Sequence, residues 1–134
     1  MATAGGAPGA LIRIAVIDTG IDPNHEQLSG RVLASAWRDF VAGQPEPYDD
    51  HGHGTHVAGI IAGSGRVSGY RYTGVAPKAT LYDAKVFMNA GTPATRDAII
   101  EATLWAVKKG ADVINMSFGD VVASPLLREA CRIA

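Results

Sequence analysis

Asp18 stands where a run of mostly β-branched residues, Ile12-Arg-Ile-Ala-Val-Ile17, breaks into the turn Asp18-Thr-Gly20. In open α/β sheets reactive groups gather at the carboxyl ends of strands, so this position suits a catalytic carboxylate or a plain turn former. Three of the four histidines crowd into Asp49-Asp-His-Gly-His-Gly-Thr-His56. A solvated polar loop is one reading of that block. A metal pair is another, since His53 and His56 lie one helical turn apart, but no Glu stands between them and no Cys is near. The third makes His53 a general base. At a helix start the positive end of the dipole favours the neutral ring, which can accept a proton. A carboxylate at Nδ1 would fix its tautomer, and Asp18 is the available candidate. Ser117 ends a later strand and reaches the same rim.

The elements that must position these groups are legible in outline. Residues 12–17 read as a strand, with a weaker strand around Arg31–Phe40 and a polar loop over Gln44–Asp50. From His53 to Ala62 small residues run without strict alternation, which predicts a closely packed helix in spite of Gly59. A Gly-rich loop over 63–74 leads to a strand at Thr80–Phe87. Thr95 is placed to cap a helix through Lys109, with Ile100, Leu104 and Val107 on one face. Asp112–Ser117 reads as a further strand, and Ser124-Pro125 opens a last helix bearing Leu126, Leu127, Ala130 and Ile133. Alternation at this spacing implies βαβ units: an α/β fold, a mostly parallel sheet, helices on both faces.

Composition narrows the partners. Twelve Lys and Arg against 13 Asp and Glu give a formal charge of −1, which argues against nucleic acid or an anionic membrane surface. The single cysteine, Cys131, allows no internal disulfide and no cysteine-based zinc cage. No apolar run approaches the roughly 18 residues of a membrane span, and the start carries no signal-peptide pattern. Residues 1–9 read as a flexible lead-in and 10–134 as one unit. The last helix shows no stop signal before Ala134, and a parallel sheet must be covered on both faces. The chain is therefore expected to be the front portion of a larger fold.

Four blocks in order, Ile14-Ala-Val-Ile-Asp-Thr-Gly-Ile-Asp22, His53-Gly-Thr-His-Val-Ala-Gly59, Gly74-Val-Ala-Pro77 and Asp112-Val-Ile-Asn-Met-Ser-Phe-Gly119, resemble the subtilisin-like serine proteases, the subtilase family. The resemblance spans residues 12–119 and implies the N-terminal part of a catalytic domain that works by an Asp–His–Ser triad. By that likeness Asp18 orients the histidine and stabilises its cation, and His53 is the general base. His56 matches a structural histidine, and Gly54 and Gly59 would let backbone approach the histidine helix closely. Ser117, Phe118 and Gly119 match the strand end that pairs with extended polypeptide substrate. An extracellular setting is also implied.

The family's nucleophile lies in a Gly-Thr-Ser-Met-Ala-like block, and this sequence has none; Ser29, Ser35, Ser64, Ser68, Ser117 and Ser124 all sit in other contexts. The asparagine that completes the family's oxyanion hole has no match either. The expectation is an endopeptidase by family whose Asp and His are here and whose Ser is elsewhere, so that this chain alone is inactive. The competing expectation is an inert fragment that acts as a binding or folding partner. A dinucleotide-binding or phosphatase-like domain fails on motif, since Asp18-Thr-Gly-Ile-Asp22 is neither Gly-x-Gly-x-x-Gly nor Asp-x-Asp. Calcium, common in the family, is not expected within this segment although the complete domain can hold it. Gln27 replaces a ligand aspartate, and the 63–74 loop carries Arg66 and Arg71. An exposed apolar sheet edge is expected to meet the missing half of the domain or a second copy.

Overall fold

The computed structural model describes residues 12–88, 95–119 and 124–134, so the lead-in expected over 1–9 lies outside the described residues. Four strands, β1 (Arg13–Asp18), β2 (Val32–Asp39), β3 (Thr80–Lys85) and β4 (Val113–Asn115), form one sheet in the order β2-β3-β1-β4. Every pairing is parallel. The helices are α1 (His53–Ala62), α2 (Arg96–Lys109) and α3 (Pro125–Ile133). No helix among the described residues is long and apolar enough to cross a membrane.

Side-chain alternation along the central strands assigns the two faces. Ile14, Val16 and Leu81 pack with Ala58 and Ala62 of α1. Ala15 and Tyr82 pack with Ala106, and Ile17 and Ala84 with Ala98, Ile99 and Ala102, all four from α2. Helices therefore cover both faces, and the mostly parallel α/β architecture read from the sequence is the one observed. Arg13 pins the start of β1 to the turn before β4, its guanidinium donating to both carboxylate oxygens of Asp112 at 2.9 and 2.8 Å. That pair holds the Asp112 carboxyl down at about 2, chiefly through the hydrogen bond from Arg13.

The capping signals acted as read. Thr95 Oγ1 accepts from Ala98 N at 3.2 Å, and Gly110 ends α2 at φ 79°. Ser124 Oγ accepts from Leu127 N, with Pro125 in the first turn of α3. The buried face of α2 differs from the expected one. It is Ala98, Ile99, Ala102, Thr103 and Ala106, while Leu104 is exposed. The three alanines let the helix sit close on the sheet, with Ile99 packed beside them. In α3 only Ala130 is buried, and Leu126 and Ile133 are exposed. The strands at 80–87 and 112–117 are each shorter than read, ending at Lys85 and spanning Val113–Asn115.

Candidate active site

β1 delivers Asp18 at the carboxyl edge of the sheet, and α1 begins at His53, the residue after Gly52, whose φ is 94°. Nδ1 of His53 lies 2.7 Å from Oδ1 of Asp18. The carboxylate side chain is 2% exposed and the imidazole 42%, so a buried acceptor orients a ring that solvent can reach. The same oxygen of Asp18 accepts from the N–H of Thr19 at 2.7 Å.

The close approach of α1 to the Asp18 turn needs Gly54. A methyl group there would fall 2.1 Å from the carbonyl oxygen of Gly20 and 3.2 Å from Cβ of Asp18. Gly59, expected to serve the same end, does not: a Cβ at that position meets nothing within 4 Å. It lies a turn and a half further along the helix, away from the Asp18 turn. Gly20 itself has φ 105° and sits against the carbonyl oxygen of Tyr48.

Asp49 joins the two loops. Its Oδ1 accepts from Thr19 Oγ1, His51 N and Gly52 N, and its Oδ2 from Thr55 N and Thr55 Oγ1, all within 3.0 Å. Thr19 Oγ1 in turn accepts from Gly54 N at 2.9 Å. Burial pushes the Asp49 carboxyl up, but the donors from Thr55, Gly52 and His51 outweigh it and hold the group below its ordinary value. On the sheet side, Lys85 is fully buried and donates from Nζ to the carbonyl oxygen of Thr19 and to Oδ1 of Asp50. Tyr48 stacks on that ammonium, 4.6 Å from ring centroid to Nζ. Asp83, also on β3, accepts from Ile21 N at 2.9 Å. The turn after Asp18 is thus fixed from below by β3 and from the side by the loop before α1.

Asp18 and His53 are expected from the sequence, whereas Thr19, Asp49, Thr55, Lys85 and Asp83 are not. The signal for the last two was a pair of charged residues alternating within the otherwise apolar strand Leu81–Val86. Such residues can be buried only when partnered or neutral. His56, the expected structural histidine, is exposed and lines a cleft together with Asp22, His25 and Ile60.

Ser117, Phe118 and Gly119 follow β4. Two residues beyond the registered pair Val16–Asn115 lie Asp18 and Ser117, which puts the segment at the same edge of the sheet as the Asp18–His53 pair. Ser117 is exposed and its hydroxyl accepts from Asn115 Nδ2 at 2.9 Å. Phe118 packs edge-on against Phe87 at 4.9 Å, and Gly119 is exposed.

Among the described residues no group of three or more His, Cys, Asp or Glu is arranged to hold a metal ion. At the position where the resemblance implied a calcium ligand, Oε1 of Gln27 accepts from Gly65 N at 2.7 Å and Ser64 Oγ at 3.2 Å. That oxygen is neutral and is already occupied by these two donors.

The fold and the site together define an α/β domain with a carboxylate–imidazole pair at the carboxyl edge of a parallel sheet. Residues 9–132 match the family model described as the Subtilase family, and the chain belongs to that family. It is 41% identical over 125 residues to Subtilisin DY of Bacillus licheniformis, covering 93% of this chain and 43% of that protein. Thermitase of Thermoactinomyces vulgaris is 38% identical over 128 residues, covering 96% of this chain and 44% of its own length. Among solved structures, a cold adapted subtilisin-like serine proteinase superposes with a TM-score of 0.78 at 32% identity, over 94% of this chain and 43% of that one. The chain spans less than half the length of these relatives.

Proposed function

We propose that this chain supplies the aspartate and the general base of a serine endopeptidase whose nucleophile is carried by a segment outside this sequence. The observation behind the reading is the 2.7 Å contact between buried Asp18 and the half-exposed ring of His53. Asp18 holds His53 with Nδ1 as the donor and stabilises the imidazolium once it forms. The free ring nitrogen takes the proton from a serine hydroxyl as that oxygen attacks a peptide carbonyl. It then returns the proton to the leaving amine. The Ser117–Gly119 edge would align an extended polypeptide by backbone hydrogen bonds.

Alone, the chain is expected to turn over no peptide or ester substrate above the level of its His53→Ala variant. Turnover that His53→Ala abolishes would overturn the missing-nucleophile reading. A second reading, an inert fragment that binds or assists folding, draws on β4. This strand is at the sheet edge, and its Val113 is 49% exposed, which suits docking of the rest of the domain or of a second copy. Gln27 is proposed to close the 64–65 turn by hydrogen bonds where relatives would use calcium. Adding millimolar calcium or a chelator is then expected to leave the melting temperature of the chain unchanged; a calcium-dependent rise would contradict it.

A further inference from the structure

Among the described residues two buried carboxylate oxygens have no hydrogen-bond partner, Oδ2 of Asp18 and Oδ1 of Asp83. They belong to adjacent strands, with Val16 registered against Asp83 and Asp18 against Lys85. Val16 faces α1, so alternation places Asp18, Asp83 and Lys85 on that same side of the sheet. Each carboxylate already uses its other oxygen: Asp18 on Thr19 N and His53, Asp83 on Ile21 N. Asp83 is fully buried, and the nearby cation, Lys85, is spent on Thr19 and Asp50. Two ionised carboxylates on one buried patch of sheet, each with one oxygen unmet, would be costly, and a proton on one of them supplies the donor that the other lacks.

We propose that Asp83 is a positioning residue of the Asp18–His53 pair: a neutral carboxylic acid whose Oδ1 hydroxyl is donated to Oδ2 of Asp18, directly or across one bridging water. The hydrogen bond satisfies both orphaned oxygens. It also fixes the plane of the Asp18 carboxylate, so that Oδ1 faces the imidazole, and leaves one negative charge rather than two behind it. Burial drives the Asp83 carboxyl well above its ordinary range, and the charges of Asp49 and Asp18 push the same way. The Ile21 N–H and the Lys85 ammonium oppose them and are outweighed. The groups around Asp83 are thus Asp18 on β1, Lys85 on β3 and Asp49 from the loop before α1, with His53 beyond Asp18. The inference rests on the proposed acid–base role of that pair.

The test uses NMR and thermal melts of the 134-residue chain. The Asp83 side-chain carboxyl carbon is expected to remain in its protonated position well above the ordinary aspartate value of about 4. A carboxyl that ionises at or below that ordinary value would overturn the proposal. Asparagine keeps both hydrogen bonds without a titrating group. A carboxyl raised on folding costs stability as pH climbs past its unfolded value, so Asp83→Asn is expected to melt above wild type at about pH 7, the gap closing toward about pH 4. A lower melting temperature for Asp83→Asn at neutral pH would mean that the native group is an anion, against the proposal.

The low-field Nδ1 proton signal of His53 separates positioning from bulk stability. It is expected to persist in Asp83→Asn and to shift or vanish in Asp83→Leu. An unchanged signal in a folded Asp83→Leu would leave Asp83 a merely structural residue. Should Asp83→Leu not fold, the carboxyl titration and the Asp83→Asn melt decide. Absence of the signal from wild type would remove the acid–base reading of the pair, and this proposal with it.

Discussion

Replacing Gly54 by alanine is expected to part Asp18 from His53. The added methyl would lie 2.1 Å from the carbonyl oxygen of Gly20 and 3.2 Å from Cβ of Asp18. Neither neighbour is the flexible end of a side chain, so relief must come from α1 backing away from the Asp18 turn. That movement stretches the 2.7 Å His53–Asp18 contact and the 2.9 Å bond from Gly54 N to Thr19 Oγ1 together. Overpacking at a backbone contact of this kind costs about 3 kcal/mol. The low-field His53 proton signal should disappear and the urea midpoint should fall. A folded Gly54→Ala chain that kept the signal would mean the helix tolerates displacement without losing the pair.

The second large effect is expected at Asp49. Alanine there strands five donors, two on Thr55 and one each on Thr19, His51 and Gly52; the Thr19 bond ties the loop before α1 to the turn after Asp18, and the Thr55 bonds tie it to α1. Bonds to a charged acceptor are worth more than neutral ones, though they do not add, and a loss of about 3 kcal/mol is expected at neutral pH. The pH dependence has a definite sign. The folded-state value of Asp49 is depressed, so its contribution is present above the unfolded value of about 4 and fades as pH falls through the folded one. Asp49→Ala should therefore cost most near neutrality and progressively less in acid, with Asp49→Asn between it and wild type. Urea unfolding of the three proteins across that range checks it. A penalty independent of pH would assign the loss to packing rather than to the charge.

Much of this was legible in the chain. Strand and helix order followed from β-branched runs ending in turn residues, and the caps at Thr95, Gly110 and Ser124 were readable because capping is local chemistry. On position alone Asp18 suited a turn former as well and His53 a solvated loop or a metal pair; the resemblance of the blocks around them to the subtilases singled them out. What was not legible depends on tertiary contact. The buried face of α2 is set by how closely alanines let it approach the sheet, which helical periodicity alone does not report. The network under the pair was hidden for a similar reason. Lys85 and Asp83 are ordinary charged residues until β3 is placed beside β1, and only then does their burial demand partners. Gly54 and Gly59 look alike in the sequence, and only the path of the neighbouring backbone separates them.

The proposed function gives this chain an oriented base but no nucleophile. Fluorophosphonate labelling of the purified protein, read by intact-mass spectrometry, tests it most directly. The 134-residue chain is expected to stay unlabelled, with any label on a second polypeptide. A mass shift on this chain itself, with Ser117 at the sheet edge the first residue to inspect, would contradict it.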